Sequence, residues 1–216
     1  MKSQGEKMVS SFRTLKNKGK GEIKRKGSQF LSVALPIQDK EELEDAIQEQ
    51  KDSYPKASHN AFAYRVGKQS PAARYSDDGE PSGTAGMPLL KLLQGRQLTD
   101  AAVVVTRIFG GTLLGTGGLA RAYSDAGRQA INRAGTVEKV LCVKFCLSIP
   151  YDSWGKFEHY VKTTGYLMND VNYAAQVTVE LVVPAEQKTE FVHWVDEFSS
   201  GGFCPQEKGK QYLSRT

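Results

Sequence analysis

The chain has 216 residues, 39% hydrophobic and 25% charged, with a net charge of +5, enough to bury a core as one large domain or two small ones. Its longest purely aliphatic run, residues 101–105, is far too short to span a bilayer, and residues 1–10 hold no apolar segment, so no secretory signal is expected. Three cysteines, Cys142, Cys146 and Cys204, lack zinc-type spacing and read as reduced thiols of a cytoplasmic protein.

The positive charge is concentrated at the start. Residues 1–27 carry nine Lys/Arg and two Glu, a net +7, whereas residues 28–138 and 139–216 each carry −1. A basic arm attracts phosphates with an affinity that falls with salt, and a solvated segment without a role has the same composition. Residues 1–19 read as a basic mobile arm. Residues 22–26 and 29–35 read as strands joined at Gly27-Ser28, an edge hairpin whose cations discourage further pairing.

Asp39 and Glu42 form a capping-box-like pair ahead of a helix that carries Leu43, Ala46, Ile47 and Tyr54 on one face and ends at Pro55. Residues 59–66 alternate as a strand, with Phe62, Tyr64 and Val66 on one face and His59, Ala61, Ala63 and Arg65 on the other. Residues 76–86 are a loop, and Thr84 is expected to cap a helix over 87–94 that Gly95 ends. Residues 101–109 are almost continuously apolar, which predicts a central strand covered on both faces. A loop over 110–118 contains five glycines. A helix over 119–134 buries Leu119, Ala122, Tyr123, Ala126 and Ala130, while Arg121, Asp125 and Arg128 share its opposite side with i,i+4 and i,i+3 pairing.

A second body begins at residue 137. Strand 140–149, helix 151–162, strands 166–172 and 176–183, a helix starting at Pro184 with Phe191, Trp194, Val195 and Phe198 inward, and a last strand within 203–213 give the order βαββαβ, that of a ferredoxin-like sandwich.

Chemistry-bearing residues gather in the first body. Asp77, Asp78 and Glu80 bring three carboxylates within four residues. They admit three readings: ligands for a hard cation, a polar turn bonded to its own amides, or partners of Arg107 or Arg121 that hold two loops in register; the last is preferred to the cation. Gly115-x-Gly117-x-x-Ala120 fits the dinucleotide pattern in letters, but the preceding strand ends well before it. No Gly-Lys-Ser/Thr is present, which excludes a P-loop, and no cofactor is expected. What remains is a Gly-rich turn (Gly110, Gly111, Gly115, Gly117, Gly118) at a helix N-terminus, where amides face an anion or simply allow tight packing. His59 with Ser76, Ser82 or Thr84 would be needed for hydrolysis, and no nucleophile elbow is present.

Three ordered blocks carry a family resemblance: Ser76-Asp77-Asp78-Gly79-Glu80-Pro81-Ser82-Gly83-Thr84-Ala85-Gly86, then Val103-Val104-Val105-Thr106-Arg107 with Phe109-Gly110-Gly111, then residues 114–126 beginning Leu114-Gly115-Thr116-Gly117-Gly118. His59-Asn60-Ala61-Phe62-Ala63-Tyr64-Arg65 adds a fourth. The chain resembles the YigZ/IMPACT family over nearly its whole length. The resemblance implies a two-domain α+β protein: a basic arm (1–19), an IMPACT-type domain (20–136) with the fold of the second domain of ribosomal protein S-five, and a ferredoxin-like domain (137–216) similar to an elongation factor G module. It also implies a non-enzymatic cytoplasmic binding protein linked to translation, with RNA, a ribosome-associated component or a protein as partner and no membrane; the alternative is a hydrolase or phospholigand enzyme using the same groove. The groove would comprise His59, Asp77, Asp78, Glu80, Ser82, Thr84, Arg107, Arg121 and the five glycines, without a metal. Met87, Ile108 and Thr112-Leu113 depart from the family pattern, removing two basic groups and one aromatic.

Overall fold

The computed structural model describes residues 8–215. They form two compact units, one of residue 8 and residues 12–138, the other of residues 9–11 and 139–215. The two-domain α+β architecture read from the sequence is the architecture observed.

The elements of the first part of the chain are β1 (Ser11–Leu15), β2 (Gly19–Arg25), β3 (Ser28–Pro36), α1 (Lys40–Ser53), β4 (His59–Val66), β5 (Ala72–Ser76), α2 (Gly86–Gly95), β6 (Ala101–Ile108) and α3 (Thr116–Ala134). One antiparallel sheet runs in the order β2-β3-β6-β4-β5. Its centre, β6, splits its side chains between two cores. Ala101, Val103 and Val105 pack against α2 and α3 with Leu89, Leu93, Leu119 and Tyr123. Ala102 and Val104 pack against Leu43 of α1 with Val33 and Ile37. That is why β6 reads as an unbroken apolar run: period-two alternation vanishes when both faces are buried.

The caps follow local chemistry. The Asp39 carboxylate accepts from the Glu42 amide, and Glu42 accepts from the Gln38 amide, so α1 begins where the capping pair predicts. Close approach is enforced by Gly19: a Cβ there would lie 2.2 Å from the Ala134 nitrogen, so only glycine lets β2 lie against the end of α3.

Three expectations are corrected. Residues 1–7 of the expected mobile arm lie outside the described residues, but its second half is ordered. Ser11–Leu15 is a strand, Leu15 is buried, the Thr14 hydroxyl donates to the Asp100 carbonyl, and the Lys16 and Asn17 amides donate to the Gly135 and Ala134 carbonyls. The lysines around it mask a short segment whose fully buried side chains are only Thr14 and Leu15, with Ser11 and Phe12 half-buried. Thr84 does not cap α2, which starts at Gly86 after Ala85; its hydroxyl turns back to the Pro81 carbonyl. The sequence reading also lacks β5, whose residues are largely exposed and offer no alternating apolar face.

The second unit contains β7 (Thr136–Ile149) from residue 139 onward, α4 (Tyr151–Thr164), β8 (Leu167–Tyr173), β9 (Val177–Pro184), a single 3-10 turn (Ala185–Gln187), α5 (Lys188–Ser199) and β10 (Gln206–Ser214). The antiparallel order β10-β7-β9-β8 completes the ferredoxin-like pattern. Val143, Phe145, Leu147, Val179, Leu181 and Val183 face one core with Phe157 and Val161 of α4 and Phe191 and Val195 of α5. Pro184 ends β9, and the 3-10 turn separates it from α5. Among the described residues no helix is long and apolar enough to cross a membrane.

Candidate functional site

One end of the first sheet gathers the residues singled out in the sequence. Register places Phe30 of β3 opposite Arg107 of β6, and Arg107 opposite His59 of β4. The three form a row across adjacent strands on the face covered by α2 and α3. The loop over residues 77–85 lies against this row, and α3 closes it.

Each carboxylate of that loop already has a protein partner. Asp77 accepts from the Ala85 and Gly86 amides through Oδ1 (3.0 and 2.8 Å) and from the Gly83 amide through Oδ2 (2.8 Å). It is the anion at the N-terminus of α2, supplied from within the chain. Asp78 Oδ2 accepts from the Asn60 amide at 2.6 Å, and the Asp78 carbonyl lies 2.7 Å from His59 Nδ1. Glu80 is buried, and its Oε1 accepts from Arg107 Nη1 at 2.7 Å and from the Tyr123 hydroxyl at 2.8 Å. The cation reading therefore meets three carboxylates that are each engaged, and the described residues hold no group of three His, Cys, Asp or Glu side chains placed for a metal.

Arg107 is held on several sides. Its Nη2 lies 3.4 Å from Ser28 Oγ, and its guanidinium carbon is 5.5 Å from the Phe30 ring centroid and 5.3 Å from that of Phe109. Phe30 meets Tyr123 edge-on at 5.2 Å. Burial, reinforced by the charge of Glu80 and the hydrogen bond to it, raises the Tyr123 pKa well above the normal phenol value. The hydroxyl is thus fixed as a donor. The pairing of carboxylate and Arg107 expected from the sequence is formed, deep in the protein rather than at its surface.

The 109–118 segment is different in kind. Gly110 sits on the β2–β3 turn, where a Cβ would come 1.9 Å from the Gly27 carbonyl carbon, and its amide donates to Ser28 Oγ at 3.2 Å. Beyond that anchor, Gly111, Gly115 and Gly117 have open space on their Cβ side. Phe109 is 46% exposed and Leu113 82% exposed. No side chain caps the N-terminus of α3, and its first turn has no acid. The positive end of a 19-residue helix is therefore uncompensated by its own side chains.

Cations adjoin this loop. Lys24, Arg25 and Lys26 are exposed in and beside the turn that meets Gly110. Arg25 lies 3.6 Å from Asp125, which Arg128 also approaches at 2.9 Å. Arg121 is exposed on the face of α3 opposite the buried stripe; it does not join the carboxylates, and the i,i+3 pair on this helix is Asp125–Arg128.

Comparison with known proteins agrees with these landmarks. Residues 26–131 match the Impact N-terminal domain, and residues 147–201 match a domain of unknown function, DUF1949. The IMPACT family member YvyE of Bacillus subtilis is 35% identical over 208 residues, covering 96% of each chain. The chain belongs to the IMPACT family. A second IMPACT relative, YigZ of Escherichia coli, is 32% identical over 183 residues, covering 83% of this chain and 88% of its own. A solved structure described as a hypothetical protein superposes with a TM-score of 0.61 at 28% identity, covering 92% of this chain and 97% of its own.

The structure therefore brings His59, Asp77, Asp78, Glu80, Thr84 and Arg107 together as a braced corner of the IMPACT domain. Ser82 is exposed at the loop tip, and Arg121 lies on the outer face of α3. Ser28, Phe30, Phe109 and Tyr123 join the site only in the structure. Tyr123 carried a usable signal, because a phenol inside an apolar stripe needs a buried acceptor. Phe109 carried none beyond its place between a strand and a glycine pair.

Proposed function

We propose that the chain is a non-enzymatic cytoplasmic binding protein linked to translation, and that its IMPACT domain takes RNA phosphates. The surface is formed by the β2–β3 turn, the loop over residues 109–115, and the first turn and outer face of α3. The observation that carries this reading is the division of charge. Each acid of the 77–80 loop is engaged by donors of the protein itself, Glu80 buried, Asp77 half-buried and Asp78 exposed, whereas the exposed Lys24, Arg25, Lys26 and Arg121 are cations on the outer surface. Acid–base catalysis needs a group free to exchange protons with substrate, and here the carboxylates serve as caps and braces. Phosphate binding needs exposed cations and backbone amides; the basic turn meets Gly110, and Arg121 lies on the helix that Gly117 helps to begin.

The test is binding of a mixed-sequence RNA oligonucleotide across a salt series, comparing the intact chain with a Lys24→Ala/Arg25→Ala/Lys26→Ala variant. For a single strand, every phosphate that is no longer neutralised lowers the slope of log affinity against log salt by about 0.7, so a drop of about 2 is expected. Binding of unchanged slope in the variant, or no RNA binding at low salt, contradicts the reading. A protein partner is the second reading. It is favoured by Leu113 at the loop tip, and RNA-independent recovery of a partner that disappears in Leu113→Ser would select it.

A further inference from the structure

The proposed RNA surface contains one flat group whose setting specifies the ligand further. Phe109 follows β6 immediately, two residues after Arg107. The buried Arg107 guanidinium lies 5.3 Å from its ring centroid, while 46% of the residue is open to solvent. Arg107 is itself fixed by Glu80 and Ser28, and the next residue, Gly110, is fixed against Gly27 and Ser28. The ring is thus pinned from below and from the chain behind it, so presenting it costs little conformational entropy on binding.

The guanidinium also decides what the exposed ring accepts. A cation against an aromatic ring uses the ring's negative potential, which disfavours a second cation, such as a quaternary ammonium, on the open side. An uncharged flat ring with its own π density suffers no such penalty. Lys24, Arg25 and Lys26 are exposed in and beside the turn that meets Gly110, the residue after Phe109, and the α3 amides lie a few residues on. An aromatic platform between cationic groups and a helix N-terminus matches a base followed by its phosphates.

We infer that Phe109 is a base-stacking platform, and that the ligand of this surface is single-stranded RNA rather than a duplex. The inference rests on the RNA reading above and narrows it. A duplex keeps its bases stacked on each other and cannot offer a face to Phe109. A single strand can place one base on the ring while neighbouring phosphates meet the turn and the α3 amides.

The experiment uses the full chain and two fluorescent RNA probes, a ten-nucleotide single strand and the blunt duplex of the same sequence, with affinity read by anisotropy at fixed low salt. The expected result is tighter binding of the single strand, weakened about tenfold by Phe109→Ala and largely retained in Phe109→Trp. Phe109→Ala leaves the salt slope and duplex affinity unchanged, because the phosphates keep their cations. In the Phe109→Trp protein, indole fluorescence with residue 109 as the added emitter is quenched by the single strand and not by the duplex, a readout independent of the alanine variant's folding. Equal binding of both probes, or wild-type affinity in a folded Phe109→Ala protein, overturns the stacking inference while leaving phosphate binding in place. Absence of binding by either probe overturns both.

Discussion

Arg107 and Glu80 form an ion pair with almost no access to water, 2.7 Å apart with both side chains over 90% buried. A buried pair gains little net stability over an apolar substitute, but loss of one member strands the other charge and costs about 3–5 kcal/mol. Arg107→Ala is therefore expected to lower unfolding stability by about that amount in urea, and Glu80→Leu/Arg107→Met together to lose much less than the two single changes added. A loss below about 1 kcal/mol for Arg107→Ala, the range of exposed pairs, contradicts the bracing role. Tyr123 adds a pH signature. Its pKa is raised in the fold, mainly by burial and then by Glu80, so the folded state keeps its proton where the unfolded chain loses it. Stability from this source is complete below about pH 10, the ordinary phenol value, and declines as pH rises above it. Tyr123→Phe should lower stability at neutral pH by about 1.5–3 kcal/mol, the range for a hydrogen bond to a charged group, and should unfold with a shallower pH dependence above pH 10. Identical alkaline profiles for the two proteins would count against the assignment.

At the scale of elements, the Asp77 loop and α2 behave as one piece. Three amides at the start of α2 and in the turn before it converge on one carboxylate. Asp77→Ala leaves them without that acceptor and is expected to cost about 1–2 kcal/mol, as at a strong helix N-cap, with Asp77→Asn recovering part of it. Amide exchange over α2 is the direct check, and unchanged protection there in the alanine variant would refute the capping role. The same elements show what a sequence can carry. α1 was legible through Asp39 and Glu42, and β6 through its unbroken apolar run, because those signals are local. The partner of Glu80 was legible as a choice between two arginines; Arg107 lies 27 positions away and Tyr123 43, and only the sheet register and the position of α3 select among them. β1 and β5 were not read because each shows a core only two or fewer buried side chains. Thr84 failed as a cap because Asp77, several residues upstream, occupies the amides first.

Over the whole molecule, the two families of elements divide as their sequences do. The second unit's βαββαβ order follows from strong periodicity, with an aromatic cluster in which Trp194 stacks on Tyr160 at 3.4 Å and on Phe198 at 4.8 Å. Two of its clefts, about 590 Å³ beside Cys204 and about 360 Å³ over Cys142, contain none of the residues marked by the family blocks. The first unit carries those blocks, but they do two different jobs. The acidic block braces the corner through bonds to the protein's own amides and to Arg107, whereas the glycine block and the basic turn remain open. Amide exchange of the full chain with and without a saturating single-stranded RNA tests this division. New protection is expected at residues 24–27 and 109–118, with little change at 77–86. Protection confined to 77–86 or to residues 139–215 would contradict it.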